Sequence, residues 1–190
     1  MSAVIEARVA VCSRHTSAEK ILKKYPGAAV VDLTSRGPEP WVRFSPFYPH
    51  GGIPVPFSPG RVGASVEGIW QGLKVFEGAG VDLEVMGRTT MKSLKRTVRR
   101  FGRCLGHRRG IAGTALLGYL EARREIYVPT YAWVLEHRLA AELEALVAMA
   151  RAQPLVLLDY ETNESVEDLR KPLSHAGLVA AAIRARLAAE

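Results

Sequence analysis

Three short apolar segments constrain this chain more than anything else in it: ARVAVC (7–12), AAVVDL (28–33) and PLVLLDY (154–160). Each is rich in β-branched or aliphatic residues and too short for a stable helix, so each reads as a strand. Between the first two lies SAEKILKKY (17–25), a short helix with Ser17 as N-cap and Glu19 in its first turn. Strand, helix and strand with short joins suggest a βαβ unit, hence a parallel pair with a right-handed crossover. The third strand is expected beside these two. Asp32 and Asp159 then fall near the carboxyl ends of strands, where open α/β sheets bind ligands.

Thr34–Gly63 is TSRGPEPWVRFSPFYPHGGIPVPFSPGRVG, rich in Pro, Gly and aromatics. So long a stretch without regular elements is unusual, and its aromatics argue against disorder. It reads as an ordered loop over part of a site, or as a packed wrapper with no ligand role. Helices are expected after it at 65–77, 89–105, 112–125, 130–150 and 174–188. The predicted class is α+β: a mainly helical single domain (1–190) with a small, about three-stranded sheet. It comprises a βαβ-like edge (1–36), a Pro/Gly/aromatic loop (37–63) and a helical body with one late strand (64–190).

Apolar residues make up 48% of the 190, enough for a core, yet no apolar run reaches the roughly 20 residues of a membrane span. Glu6 and Arg8 interrupt what would be the apolar region of a secretion signal, so a cytoplasmic protein without a membrane partner is expected. Cys12 and Cys104 are far apart, read as reduced thiols, and show no metal spacing. No metal or cofactor is expected.

The formal charge is +7, unevenly spread. Gly87–Leu120 has no acidic residue but holds Arg88, Lys92, Lys95, Arg96, Arg99, Arg100, Arg103, Arg108 and Arg109. Such a block implies an anionic partner, either nucleic acid or the phosphates of a smaller ligand.

SVEGIWQGLKVF (65–76) places Glu67, Gln71 and Lys74 on one face of an expected helix whose other positions are apolar. A buried acid and amine are costly unless they pair or line a cavity. One reading is a self-satisfying network. The other is a pocket wall, with a carboxylate for proton transfer and a lysine whose pKa burial lowers. The preceding RFSPFYPHGG adds Ser45, Tyr48 and His50.

FSPFYP followed by SVEGIWQGLKVF resembles the NADAR / YbiA-like superfamily, which shows an "sNFYP"-like segment and then an "(S/T)xE-xxx-Q-xx-K" helix. Ser45, Phe47, Tyr48 and Pro49 match the first part, with Pro46 where the family usually has Asn. Ser65, Glu67, Gln71 and Lys74 match the second, with Gly68 where the family often has His. The resemblance covers residues 44–76. MKSLKRTVRRFG (91–102) is similar to the family's basic helix, and LLDYETN (157–163) stands where its acidic C-terminal segment would be.

The resemblance implies a YbiA-like fold and an N-glycosidase acting on a phosphorylated ribosyl compound or an ADP-ribosylated base. Glu67, Lys74 and Asp159 are then the catalytic candidates. Glu67 stabilises an oxocarbenium-like state or activates water; Lys74 protonates the leaving nitrogen, binds phosphate or forms an imine. Ser45, Phe47, Tyr48, His50, Gln71, Lys92, Arg96, Arg99 and Tyr127 are the substrate-binding candidates, the cations gripping phosphates. The alternative is a non-enzymatic nucleic-acid-binding protein that uses the basic 88–109 segment. LEARREIYVPTYAWVLEH (120–137) reads as a packed helical corner or as a phosphate and base contact. Ser174 in KPLSHAGL (171–178) reads as a helix cap or an anion site.

Overall fold

The computed structural model describes residues 8–189. The expectations that touch Met1–Ala7, the start of the first strand and the missing secretion signal, lie outside the described residues. In chain order the elements begin with β1 (Val9–Ser13), α1 (Ala18–Lys24), β2 (Ala29–Asp32) and a 3-10 turn (Trp41–Phe44). Then come β3 (Ile53–Pro54), β4 (Val62–Gly63), α2 (Val66–Gly72), β5 (Lys74–Phe76), α3 (Leu83–Met86) and α4 (Val98–Phe101). β6 (Cys104–Arg108), β7 (Leu116–Leu117), α5 (Tyr119–Ala122), a π-helical turn (Arg123–Tyr127) and α6 (Val128–His137) follow. The chain closes with α7 (Ala140–Ala152), β8 (Leu155–Asp159) and α8 (His175–Ala188). Helix accounts for 40% and strand for 17%, which makes this an α+β protein with small sheets.

The elements fall into two compact units. The first takes residues 1–45 and 139–190, and the second takes 46–138.

The first unit is built on the three apolar segments. β8 lies between β1 and β2 and pairs with both in parallel, Val9 and Ala29 each opposite Leu155. The expected direct pairing of β1 with β2 is therefore corrected: the late strand separates them. The order follows from burial. A central parallel strand is covered on both faces and reads as a continuous apolar run, and Leu155, Val156 and Leu157 are fully buried while β1 and β2 are only partly so. α8 packs on β1 and β8 through Val179, Ala180 and Ile183, and α7 adds Leu143, Leu146 and Val147. Each such Val, Leu or Ile side chain contributes about 1.5–3 kcal/mol. Ser17 caps α1, accepting from Lys20 N, and Ser174 caps α8, accepting from Gly177 N.

The second unit holds a two-stranded ladder, β3–β4, and an antiparallel sheet in the order β5–β6–β7. Several expected helices are remade here. The 65–77 helix stops at Gly72, and the chain turns at Leu73 into β5. The 89–105 helix shrinks to α4, then a strand. Its cations on every face have no acidic partners at helical spacing, and Gly102 ends α4 at φ 79°. The expected break at YVPT becomes a change of register. Pro129 has no N–H to donate to Glu125, and the five-residue turn just before it widens the helix there. The 130–150 helix splits at Arg138–Leu139 into α6 and α7.

Two glycines let α2 lie close to α3. A Cβ on Gly68 would come within 2.9 Å of Ser65 Oγ and 3.0 Å of the Val85 carbonyl oxygen. On Gly72 it would come within 2.8 Å of the Asp82 carbonyl oxygen. The His that NADAR-like sequences often carry at the Gly68 position has no room here.

Candidate functional site

Within the second unit, the loop from Pro46 is joined to α2: Glu67 N donates to the Pro46 carbonyl at 2.8 Å, and Gly51 N to that of Ala64 at 2.9 Å. Ser65 caps α2 through Gly68 N, at 3.0 Å. The cap fixes where the helix begins and hence where Glu67 and Gln71 point. Gln71 Nε2 donates to Glu67 Oε1 at 2.8 Å, and Gln71 Oε1 accepts from Arg96 N at 3.1 Å. The amide is thus held from both ends. Glu67, 8% exposed, has one oriented oxygen, while Oε2 takes no hydrogen bond among the described residues.

Lys74 reaches the same place by a different route. It lies on β5, not on the helix, so it does not share a helical face with Glu67 and Gln71. Its ammonium lies 5.8 Å from the Trp70 ring centroid. Burial pushes its pKa below the usual lysine range, Glu67 opposes that shift, and Lys95 and Arg96 reinforce it. Around Trp70 sit His107 at 3.8 Å, Tyr127 at 5.6 Å and Tyr119 at 5.9 Å, centroid to centroid, the tyrosines edge-on. The π-helical turn packs against α2 and brings Tyr127 there. His107 and Trp70 are site residues that the sequence reading missed. The signal for His107 was an imidazole on the alternating strand CLGHR, beside a glycine.

Arg96 has another task. Its guanidinium lies between the Phe76 and Phe101 rings, 5.1 and 5.0 Å from their centroids. It donates to the carbonyls of Gln71, Lys74 and Gly80 at 3.2, 2.7 and 2.8 Å, and Nε lies 3.6 Å from an Asp82 carboxylate oxygen. Those contacts splice the end of α2 to β5, and the guanidinium is not presented as a phosphate clamp.

Asp159 is likewise committed. Its Oδ2 accepts from Ser174 Oγ at 2.7 Å and from Ala176 N at 3.3 Å, and lies 2.9 Å from His175 Nδ1; Oδ1 accepts from Tyr160 N at 2.7 Å. Asp159 belongs to the first unit, where these contacts anchor the start of α8. Ser45, also of the first unit, is buried. Phe47 lies 5.8 Å from the Lys95 ammonium, and the Tyr48 and His50 rings are 4.8 Å apart. Lys92, on the irregular run before α4, and Arg99, on α4, are exposed, and no contact among the described residues joins them to Glu67 or Lys74. Among the described residues, no group of three or more His, Cys, Asp or Glu is placed to hold a metal ion, and no helix is long and apolar enough to cross a membrane.

The fold and site define an α+β protein in which a carboxylate, an amide and a half-buried lysine meet at an aromatic cluster. Residues 13–179 match a family of unknown function, DUF6939, and the chain belongs to that family. No curated protein and no solved structure matches it.

Proposed function

We propose that this chain is an N-glycosidase-type hydrolase that acts on an ADP-ribosyl or ribose-phosphate N-glycosidic bond, with a YbiA-like arrangement of the second unit. The observation that carries this reading is the Glu67 carboxylate. One oxygen is fixed by Gln71 and the other takes no hydrogen bond among the described residues, with a partly desolvated lysine on the strand that follows. In the proposed reaction the C1–N bond breaks and its electron pair leaves with the base. Lys74 gives a proton to the departing nitrogen. Water adds its oxygen to C1 and its proton to Glu67, which returns it to Lys74. Lys92, Lys95 and Arg99, all exposed, are the cations that remain for phosphate once Arg96 is set aside. The test is chromatographic detection of free base after incubating the full chain with nucleoside monophosphates and with ADP-ribosylated guanine. Release that is lost in Glu67→Gln supports the reading; no release from any of them ends it.

A second reading has its own observation. Lys92, Lys95, Arg99, Arg100 and Arg103 are exposed within twelve residues, and of these only Arg103 is ion-paired, to Glu77, among the described residues. The stretch suits a phosphate backbone, so binding to an oligonucleotide should fall linearly in log affinity against log salt. A flat salt response removes this reading.

A further inference from the structure

His107 is a buried polar side chain without a hydrogen-bond partner among the described residues. It is 2% exposed, and neither Nδ1 nor Nε2 has a hydrogen-bond partner among the described residues. Buried polar atoms are almost always paired, so an orphan calls for an explanation. Its place in the fold supplies one. His107 stands directly opposite Lys74 in the β5–β6 ladder, so the two side chains share a face of the sheet. Its ring packs on Trp70. The imidazole therefore belongs to the Glu67–Lys74 cluster, whose outward members Lys74, Tyr119 and Tyr127 reach solvent.

Burial, and then the charge of Lys74, depress the His107 pKa to about 3, so the ring is neutral across the physiological range. A neutral imidazole carries one N–H donor and one lone pair. A phosphate or carboxylate oxygen answers only the donor, and an ammonium only the lone pair. Hydroxyl groups answer both, and a sugar presents several together. We infer that His107 is a ligand-contacting residue that reads ribose hydroxyls and makes the site select ribosyl over 2-deoxyribosyl compounds. The inference rests on the ribosyl part of the reading above, not on its hydrolytic step. A site built to bond a hydroxyl discriminates strongly against an analogue lacking it, because its own polar atoms are then left unpaired.

The experiment is calorimetric titration of the full chain with ribose 5-phosphate and with 2-deoxyribose 5-phosphate. The wild-type chain is expected to prefer ribose 5-phosphate by at least about tenfold. His107→Phe should bring the two affinities within about twofold of each other, and His107→Gln, which keeps a donor and an acceptor, should restore part of the preference. A merely structural role for His107 would weaken both sugars in proportion and leave the ratio alone. The wild-type chain also supports a test without substitution: the His107 ring 15N resonances should move with ribose 5-phosphate and not with the deoxy sugar. Equal wild-type affinities, a preference that survives in His107→Phe, or unmoved His107 resonances each overturn the inference. Base release with equal affinities removes the inference and keeps the glycosidase; sugar preference without base release does the reverse. Binding of neither sugar overturns the inference.

Discussion

Asp159 and His175 hold each other where β8 ends and α8 begins, with Oδ2 and Nδ1 2.9 Å apart. His175 Nε2 lies 2.9 Å from the Leu33 carbonyl oxygen. Both ring nitrogens therefore face acceptors, the pattern of a buried imidazolium. Burial alone would lower the His175 pKa, but Asp159 and the Leu33 carbonyl raise it. Burial would raise that of Asp159, but His175, Ser174 and Ala176 N take it down to about 2.

The pair makes stability depend on pH from both sides. The His175 contribution is complete below its unfolded value near pH 6.5 and is lost as pH rises through the raised folded value. The Asp159 contribution is complete above its unfolded value near pH 4 and is lost as pH falls towards 2. Urea midpoints are expected to be highest between about pH 4 and 6.5 and to fall on either side. His175→Ala should cost about 3–5 kcal/mol at pH 6 and flatten the alkaline fall. An unchanged alkaline slope in that variant would show that His175 is not its source.

Arg96 yields a prediction of structure rather than chemistry. Its three carbonyl partners tie α2 to β5. Lysine cannot span three acceptors from one planar head, so Arg96→Lys should destabilise by about 2–3 kcal/mol. Chemical denaturation of both chains measures this directly. Equal midpoints mean that the carbonyl contacts are dispensable.

Lys74 should react with amine-modifying reagents at lower pH than the exposed lysines, because burial disfavours its charged form. Since Glu67 acts in the opposite sense, Glu67→Gln should lower the midpoint further. Mass-spectrometric labelling of the Lys74 peptide across pH gives both answers. A midpoint that rises in Glu67→Gln contradicts the pairing of these two groups.

Close approach of α2 and α3 should make both α2 glycines intolerant of a side chain. Gly68→Ala and Gly72→Ala are each expected to destabilise, by about 1–3 kcal/mol, since the Val85 carbonyl oxygen at 3.0 Å and the Asp82 carbonyl oxygen at 2.8 Å are backbone atoms that cannot readily step aside. Thermal melts test this, and a neutral Gly72→Ala would show that residues 82–86 can retreat.

The sheet of the first unit was readable because continuous apolar runs bounded by turns have few other uses. Ser17 and Ser174 were readable as caps because capping is a local bond. The order of the strands was not readable, because nothing local in ARVAVC or AAVVDL says that a segment over 120 residues later will separate them. Glu67 and Gln71 were placed correctly relative to one another because four residues of helix join them. Lys74 was expected on the same helix, whereas its backbone is recruited into a ladder with His107, a partner 33 positions away. The basic run misled for a related reason. Its apolar spacing suggests a helix, yet Leu94 is buried while Val98 and Leu105 are exposed, so no single stripe faces the core.

The position of β8 also sets a timetable. β1 and β2 flank a strand that the ribosome makes only after the whole of residues 46–138. Until then β1 and β2 have no ladder to join, whereas β3–β7 find their strand partners within one continuous length. During synthesis the second unit can therefore mature first, while the amino-terminal strands wait as open edges that a nascent-chain chaperone would have reason to cover.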